Sequence, residues 1–216
     1  MLKVGIIGAS GMAGSAIYKE ASSKPTLAVT GIVRDETKAQ QVLGKDAKLL
    51  VGDVLTMDNG LLMGFDVIVD ALGTSPEEAG QQVTLAQKLV GLATNDHPRL
   101  LFILGAGSLY TGADHHLAVE DIAKDPAAAA WINIPKLQLK ELEYLQTVRT
   151  ADWMGISPSL EFVPGPATRY VLGGNDLLFD DHGMSRVTSG TMAKVIVHEI
   201  LNPHHHQERI TVINAI

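Results

Sequence analysis

Gly8, Gly11 and Gly14 recur every third residue in Gly8-Ala9-Ser10-Gly11-Met12-Ala13-Gly14, directly after the apolar run Val4-Gly5-Ile6-Ile7. That pattern suits the binding of a diphosphate. The first glycine permits a tight turn, and the second lets backbone approach the phosphates. The third lets the following helix pack close to a sheet. A helix that opens here presents unpaired N–H groups and a positive dipole end to phosphate oxygens. Ser10 adds a hydroxyl donor. The same residues would serve a bare strand–helix turn, but the strand before them and the helix after them favour the phosphate site.

Further positions extend the chemistry. Sites for a dinucleotide without a 2′-phosphate place an acid about 20 residues past the glycines, on the ribose 2′-OH. Here that place holds Arg34, followed by Asp35. A guanidinium clamps a phosphate with two parallel hydrogen bonds, whereas an acid would repel it. NADP(H) is therefore favoured over NAD(H), and Asp35 keeps NAD(H) open. Asp53 follows the third apolar run and suits either an adenine neighbour or a helix N-cap. Leu72-Gly73-Thr74 follows the fourth run, where backbone would line the ribose and nicotinamide.

Proton chemistry is less well provided. A Tyr-x-x-x-Lys pair would let the lysine lower the tyrosine pKa for carbonyl reduction. Tyr18, Tyr110, Tyr144 and Tyr170 are followed four residues later by Ser22, Asp114, Val148 and Gly174. None completes the pair. Hydride transfer to a flavin does not need it, because stacking two rings and excluding water suffices. Ser108 and Tyr110, after the fifth apolar run, are the expected substrate contacts. Ser108 is the first choice for a polar contact, with a turn residue as the competing reading. Tyr110 is expected as a stacking wall rather than an acid. His115-His116 and His204-His205-His206 read as surface turns in preference to metal ligands. Trp131 and Trp153 read as packing residues.

These residues need a scaffold that delivers loops to one edge. Apolar runs at 3–7, 27–33, 48–51, 66–71, 99–104, 153–157 and 209–213 alternate with helical patterns at 11–23, 36–43, 76–94, 135–147 and 187–201. Such alternation predicts an α/β single-domain Rossmann fold, a doubly wound parallel sheet with helices on both faces. Ligands then bind at the carboxyl ends of the strands, where strand order reverses. One domain is expected over 1–216. Within it, 157–181 forms a small irregular substrate-side lobe, and 111–130 is the least regular stretch, a candidate flap.

Composition sets limits. The chain has 216 residues and 46% hydrophobic residues, which suits one domain with a real core. A net charge of −7 without any basic block argues against nucleic acid or an acidic membrane as partner. No cysteine is present, so disulfides, thiolate metal sites and cysteine nucleophiles are excluded. No signal peptide or membrane span is expected, and the reading is a cytoplasmic protein.

Several stretches together carry a family resemblance. They are Ile6 through Ser15, Val33-Arg34-Asp35, Gly52-Asp53-Val54, Phe65 through Ala71, and Leu104-Gly105-Ala106-Gly107-Ser108-Leu109-Tyr110. Ser157-Pro158-Ser159, Phe162, Pro164-Gly165, Tyr170 through Gly174 and Gln207 through Val212 complete the set. Over nearly its whole length the chain resembles the atypical short-chain dehydrogenases called NADH-flavin reductases, relatives of NmrA-like proteins and biliverdin reductase B. The resemblance implies cofactor contacts from Gly8, Ser10, Gly11, Met12, Arg34, Asp53, Leu72, Gly73 and the Ser157-Pro158 loop. It implies substrate near Ser108, Tyr110 and Phe162. Many relatives carry Tyr-Lys where this chain has Pro135-Lys136, so a proton-donor role there is in doubt, and Lys136 is expected at the nicotinamide ribose. The expected activity is NADPH-dependent hydride transfer to a flavin or quinone, with flavin as substrate rather than bound prosthetic group. The competing readings are an NmrA-like sensor of NADP(H) and, less favoured, a reductase or isomerase of a small carbonyl compound. A small-molecule electron acceptor is the expected partner, and a homodimer or a regulatory protein partner remains open.

Overall fold

The computed structural model describes residues 1–94 and 97–215. The chain runs β1 (Leu2–Ile7), α1 (Met12–Ser22), β2 (Leu27–Val33), α2 (Glu36–Leu43), β3 (Leu49–Val51), α3 (Asn59–Leu62), β4 (Val67–Asp70), α4 (Gly80–Leu92) and β5 (Arg99–Ile103). It continues through β6 (Tyr110–Thr111), β7 (His116–Leu117), α5 (Ala118–Lys124), α6 (Asn133–Thr147), β8 (Trp153–Ser157), β9 (Glu161–Val163), β10 (Tyr170–Gly173), β11 (Arg186–Thr188), α7 (Ser189–Leu201) and β12 (Glu208–Asn214).

Eight strands form one sheet in the order β10-β12-β8-β5-β4-β1-β2-β3. All neighbours pair in parallel except β10, which runs antiparallel to β12 with Leu172 opposite Val212. Strand order reverses between β1 and β4, and the crevice at their carboxyl ends is the ligand position of a doubly wound sheet.

Each face of the sheet has its own core. On one face Ile17, Ala21, Ala39, Met192 and Ile196 bring α1, α2 and α7 onto Val4, Ile6 and Met154. On the other, Leu62, Leu85, Leu89, Leu142 and Leu145 bring α3, α4 and α6 onto Ile7, Ile68 and Phe102. Covering both faces explains why the strands read as near-continuous apolar runs. Asp70 is the exception in β4, a carboxylate in a strand whose four residues are all buried.

Three expectations need correction. The stretch 157–181 is not wholly irregular, because β10 extends the sheet as its antiparallel edge. The stretch 111–130 holds β7 and α5, and α5 buries Ala118 and Val119. The helix expected from residue 76 begins at Gly80, because residues 76–79 form a turn in which the Glu78 N–H reaches the Ser75 carbonyl at 3.1 Å. Among the described residues, no helix is long and apolar enough to cross a membrane.

Candidate functional site

Local geometry at the glycine turn follows from what a Cβ would meet. Gly8 adopts φ +70°, and a side chain there would collide with the Ala71 carbonyl of the loop after β4. A side chain at Gly14 would collide with the Gly8 carbonyl, so this glycine lets α1 lie against the turn. Gly11 is the N-cap of α1 and makes no side-chain cap bond, and no acid occupies the first turn. The helix therefore opens with its amide end uncapped, which suits a phosphate.

Two cavities meet at this turn and share Gly11, Ala71, Leu72 and Gly73. The smaller, of about 210 Å³, is lined by Gly8, Ser10, Ile32, Arg34, Asp35, Lys38, Gly52 and Val54, among others. Arg34 is exposed at its rim. The Asp35 carboxylate caps α2, accepting the Lys38 N–H at 2.9 Å. The larger cavity, of about 400 Å³, is bounded by Met12, Thr74, Gln82, Ile103, Trp131, Pro135, Gln138, Pro158, Leu160 and Phe162 among others. Among the described residues, no ionisable side chain lines it.

Of the residues expected here, Gly8, Ser10, Gly11, Met12, Arg34, Leu72, Gly73, Pro158 and Phe162 line one cavity or both. Five do not. The Ser108 hydroxyl is buried and donates to the Gly105 carbonyl at 2.8 Å. The Tyr110 ring stacks on His115 at 4.3 Å, outside the cavity. The Asp53 carboxylate accepts the Leu55 N–H at 3.0 Å, while its neighbours Gly52 and Val54 line the groove. Lys136 is exposed on α6, whose cavity-lining residues are Ile134, Pro135 and Gln138, the last two about one helical turn apart. Ser157 is fully buried, 3.3 Å from the Ser108 hydroxyl.

Arg209 holds this serine pair in place. From β12 its guanidinium donates to the Ser157 hydroxyl at 3.3 Å, the Ser108 carbonyl at 3.1 Å and the Asn175 side chain at 3.2 Å. Burial lowers its pKa to about 10. It still carries its charge at neutral pH, and it is a positioning residue.

Beneath the floor lie two buried acids. Asp70 accepts the Leu72 N–H at 2.9 Å with one oxygen, which shapes the loop shared by the cavities, and its other oxygen has no partner. Burial raises its pKa to about 7, against a smaller lowering by the Leu72 bond. Burial, with the nearby Asp70 charge, also holds Glu141 well above the usual carboxylate range. Two neighbouring carboxyls away from water cannot both ionise cheaply.

A family model for NAD(P)H-binding proteins matches residues 8–203. The chain belongs to the NAD(P)H-binding family. Its sequence is 31% identical to YwnB of Bacillus subtilis over 99% of each chain. Among solved structures, a Lactobacillus casei protein is 35% identical, with a TM-score of 0.92 and full coverage of both chains. A candidate NADH-flavin reductase from Streptococcus pneumoniae is 27% identical, with a TM-score of 0.87 and full coverage of both. The family indicates a nicotinamide cofactor, and the uncapped α1 and the glycine cradle fit its diphosphate.

Residue types alone did not reveal Lys38, Gln82, Trp131 and Gln138 as lining residues. Trp131 is 43% exposed and forms a wall of the larger cavity, rather than packing in a core. Gln138 had a usable signal, its one-turn spacing from Pro135 on the same helix. Gln82 had none, because a glutamine in a first turn reads as solvated.

Proposed function

We propose that this protein is an NADPH-dependent reductase that passes hydride to a flavin or quinone-type acceptor. The carrying observation is the pairing of the two cavities. A groove edged by Arg34 and Lys38 adjoins an apolar chamber that no ionisable side chain lines among the described residues. The helix end and glycine cradle would hold the diphosphate, and Arg34 would take the 2′-phosphate. Bound nicotinamide supplies the hydride. Trp131 and Phe162 offer flat apolar walls for a planar acceptor, and Met12, Ile103 and Leu160 help exclude water from it. Catalysis by proximity and exclusion of water fits a chamber without an acid or base. The test is steady-state NADPH oxidation with riboflavin, FMN and menadione. Turnover well above the uncatalysed background is expected with at least one of them.

The lack of a proton donor in the chamber also favours a second reading, a sensor that binds NADP(H) without efficient turnover. Tight NADPH binding with no turnover on any acceptor would establish that reading instead.

Arg34→Glu tests the cofactor assignment. The charge reversal should weaken NADPH by about a hundredfold, roughly 2–3 kcal/mol, and leave NADH within a few fold. Calorimetric titration of both nucleotides reads this directly. Equal losses for the two would remove Arg34 from the 2′-phosphate.

A further inference from the structure

The larger cavity is apolar apart from a few neutral polar side chains, and their hydrogen bonds separate them. The Ser159 hydroxyl is satisfied, donating to the Val212 carbonyl at 2.8 Å. The Gln138 amide packs over Gly105. Gln82 is different. It is 4% exposed, lines the cavity from the first turn of α4, and its Oε1 has no hydrogen-bond partner. Thr74, on the loop after β4, has a buried Oγ1 that is also unpartnered. The orphaned Asp70 oxygen satisfies neither of them. A buried polar atom left unpaired costs about 1–3 kcal/mol, a cost that a ligand reaching these atoms would recover.

We infer that Gln82, with Thr74, is the specificity-determining contact for the acceptor, reading an edge on which an N–H donor adjoins a carbonyl. The inference rests on the reductase reading above and narrows its acceptor class. An amide oxygen only accepts, so its ligand must donate. Turning the Gln82 amide over would replace an unpaired acceptor by an unpaired donor. An edge carrying both groups meets either orientation, and the Thr74 hydroxyl gives or takes as required. An isoalloxazine has that edge at N3–H and its flanking carbonyls. An oxidised quinone such as menadione presents acceptors only. The nicotinamide carboxamide carries the same chemistry, so the experiment separates the two sources.

The test measures binding by fluorescence quenching of lumiflavin and N3-methyllumiflavin in the presence of NADP+, with the wild type and Gln82→Leu. Calorimetry of NADPH runs beside it. In the wild type, methylation at N3 is expected to weaken binding about tenfold or more. In Gln82→Leu the two flavins should bind alike, NADPH affinity should be unchanged, and the melting temperature should hold or rise, because an apolar side chain replaces an unpaired amide. Gln82→Met is the second variant, with the same expectation. Equal wild-type affinity for the two flavins, or no binding of either, would overturn the inference. So would a Gln82→Leu loss that falls on NADPH, which would assign the amide to the cofactor. Turnover is read separately. Menadione reduction without lumiflavin binding would overturn this contact and leave the reductase reading standing. Lumiflavin binding with the N3 discrimination but no turnover would do the reverse.

Discussion

Glu199→Ala should destabilise the fold by about 3–5 kcal/mol, the usual cost of removing one partner from a buried ion pair. Glu199 on α7 is 2% exposed and lies 3.5 Å from the guanidinium of Arg99, itself buried at the start of β5. Arg99 also bonds Asp152 at 3.0 Å, the Glu199 carbonyl at 2.7 Å and the His205 carbonyl at 2.7 Å. The Glu199 carboxylate accepts the His204 N–H at 3.1 Å and the His205 ring N–H at 2.8 Å. Burial pushes its pKa up, but these histidine bonds outweigh it, and the carboxyl ends below the ordinary value of 4.5. The sign follows from linkage. This contribution is complete above about pH 4.5 and fades as pH falls through the lower folded value. Urea denaturation at pH 7 should show the loss, and the gap between wild type and variant should narrow in acid. A midpoint change worth under 1 kcal/mol would show that water replaces the lost carboxylate.

Asp70→Asn should act in the opposite direction and stabilise the protein at pH 8. The folded Asp70 pKa, about 7, stands above the ordinary 3.8. Below pH 3.8 the carboxyl is protonated whether folded or unfolded, so the buried group carries no charge penalty. Between pH 3.8 and 7 the unfolded chain releases a proton that the folded chain keeps, and stability falls as pH rises. Above pH 7 the penalty is complete, on the order of 4 kcal/mol. Asparagine keeps an acceptor for the Leu72 N–H and removes the ionisation. Thermal melts of wild type and variant from pH 4 to 8 should diverge with rising pH, and Glu141→Gln should show the same trend. Parallel curves would mean that water reaches the pair.

These two networks lie on different sides of what sequence reasoning reaches. The histidine run, expected as a surface turn, lies in the loop between α7 and β12. Its tie to Glu199 and Asp152 was hidden, because His206 reaches Asp152 across 54 positions of sequence, at 2.8 Å. Asp70 ends a legible apolar strand, yet its burial beside Glu141 depends on how α6 packs over β4.

The sequence by itself determined the sheet class, the glycine turn and Arg34 beyond the second strand. Each is local: a period of apolar residues, a backbone that tolerates no Cβ, and a charge at a set distance along one βαβ unit. Tertiary structure alone decided which polar groups face the cavities and which are turned away. Ser108 and Ser157 are drawn inward by Arg209 from the last strand, and Lys136 misses the cleft by one position on its helix. Gln82 and Trp131 line it because α4 and the segment before α6 converge there. Side-chain direction at such places depends on packing between distant elements, which no pattern along the chain records.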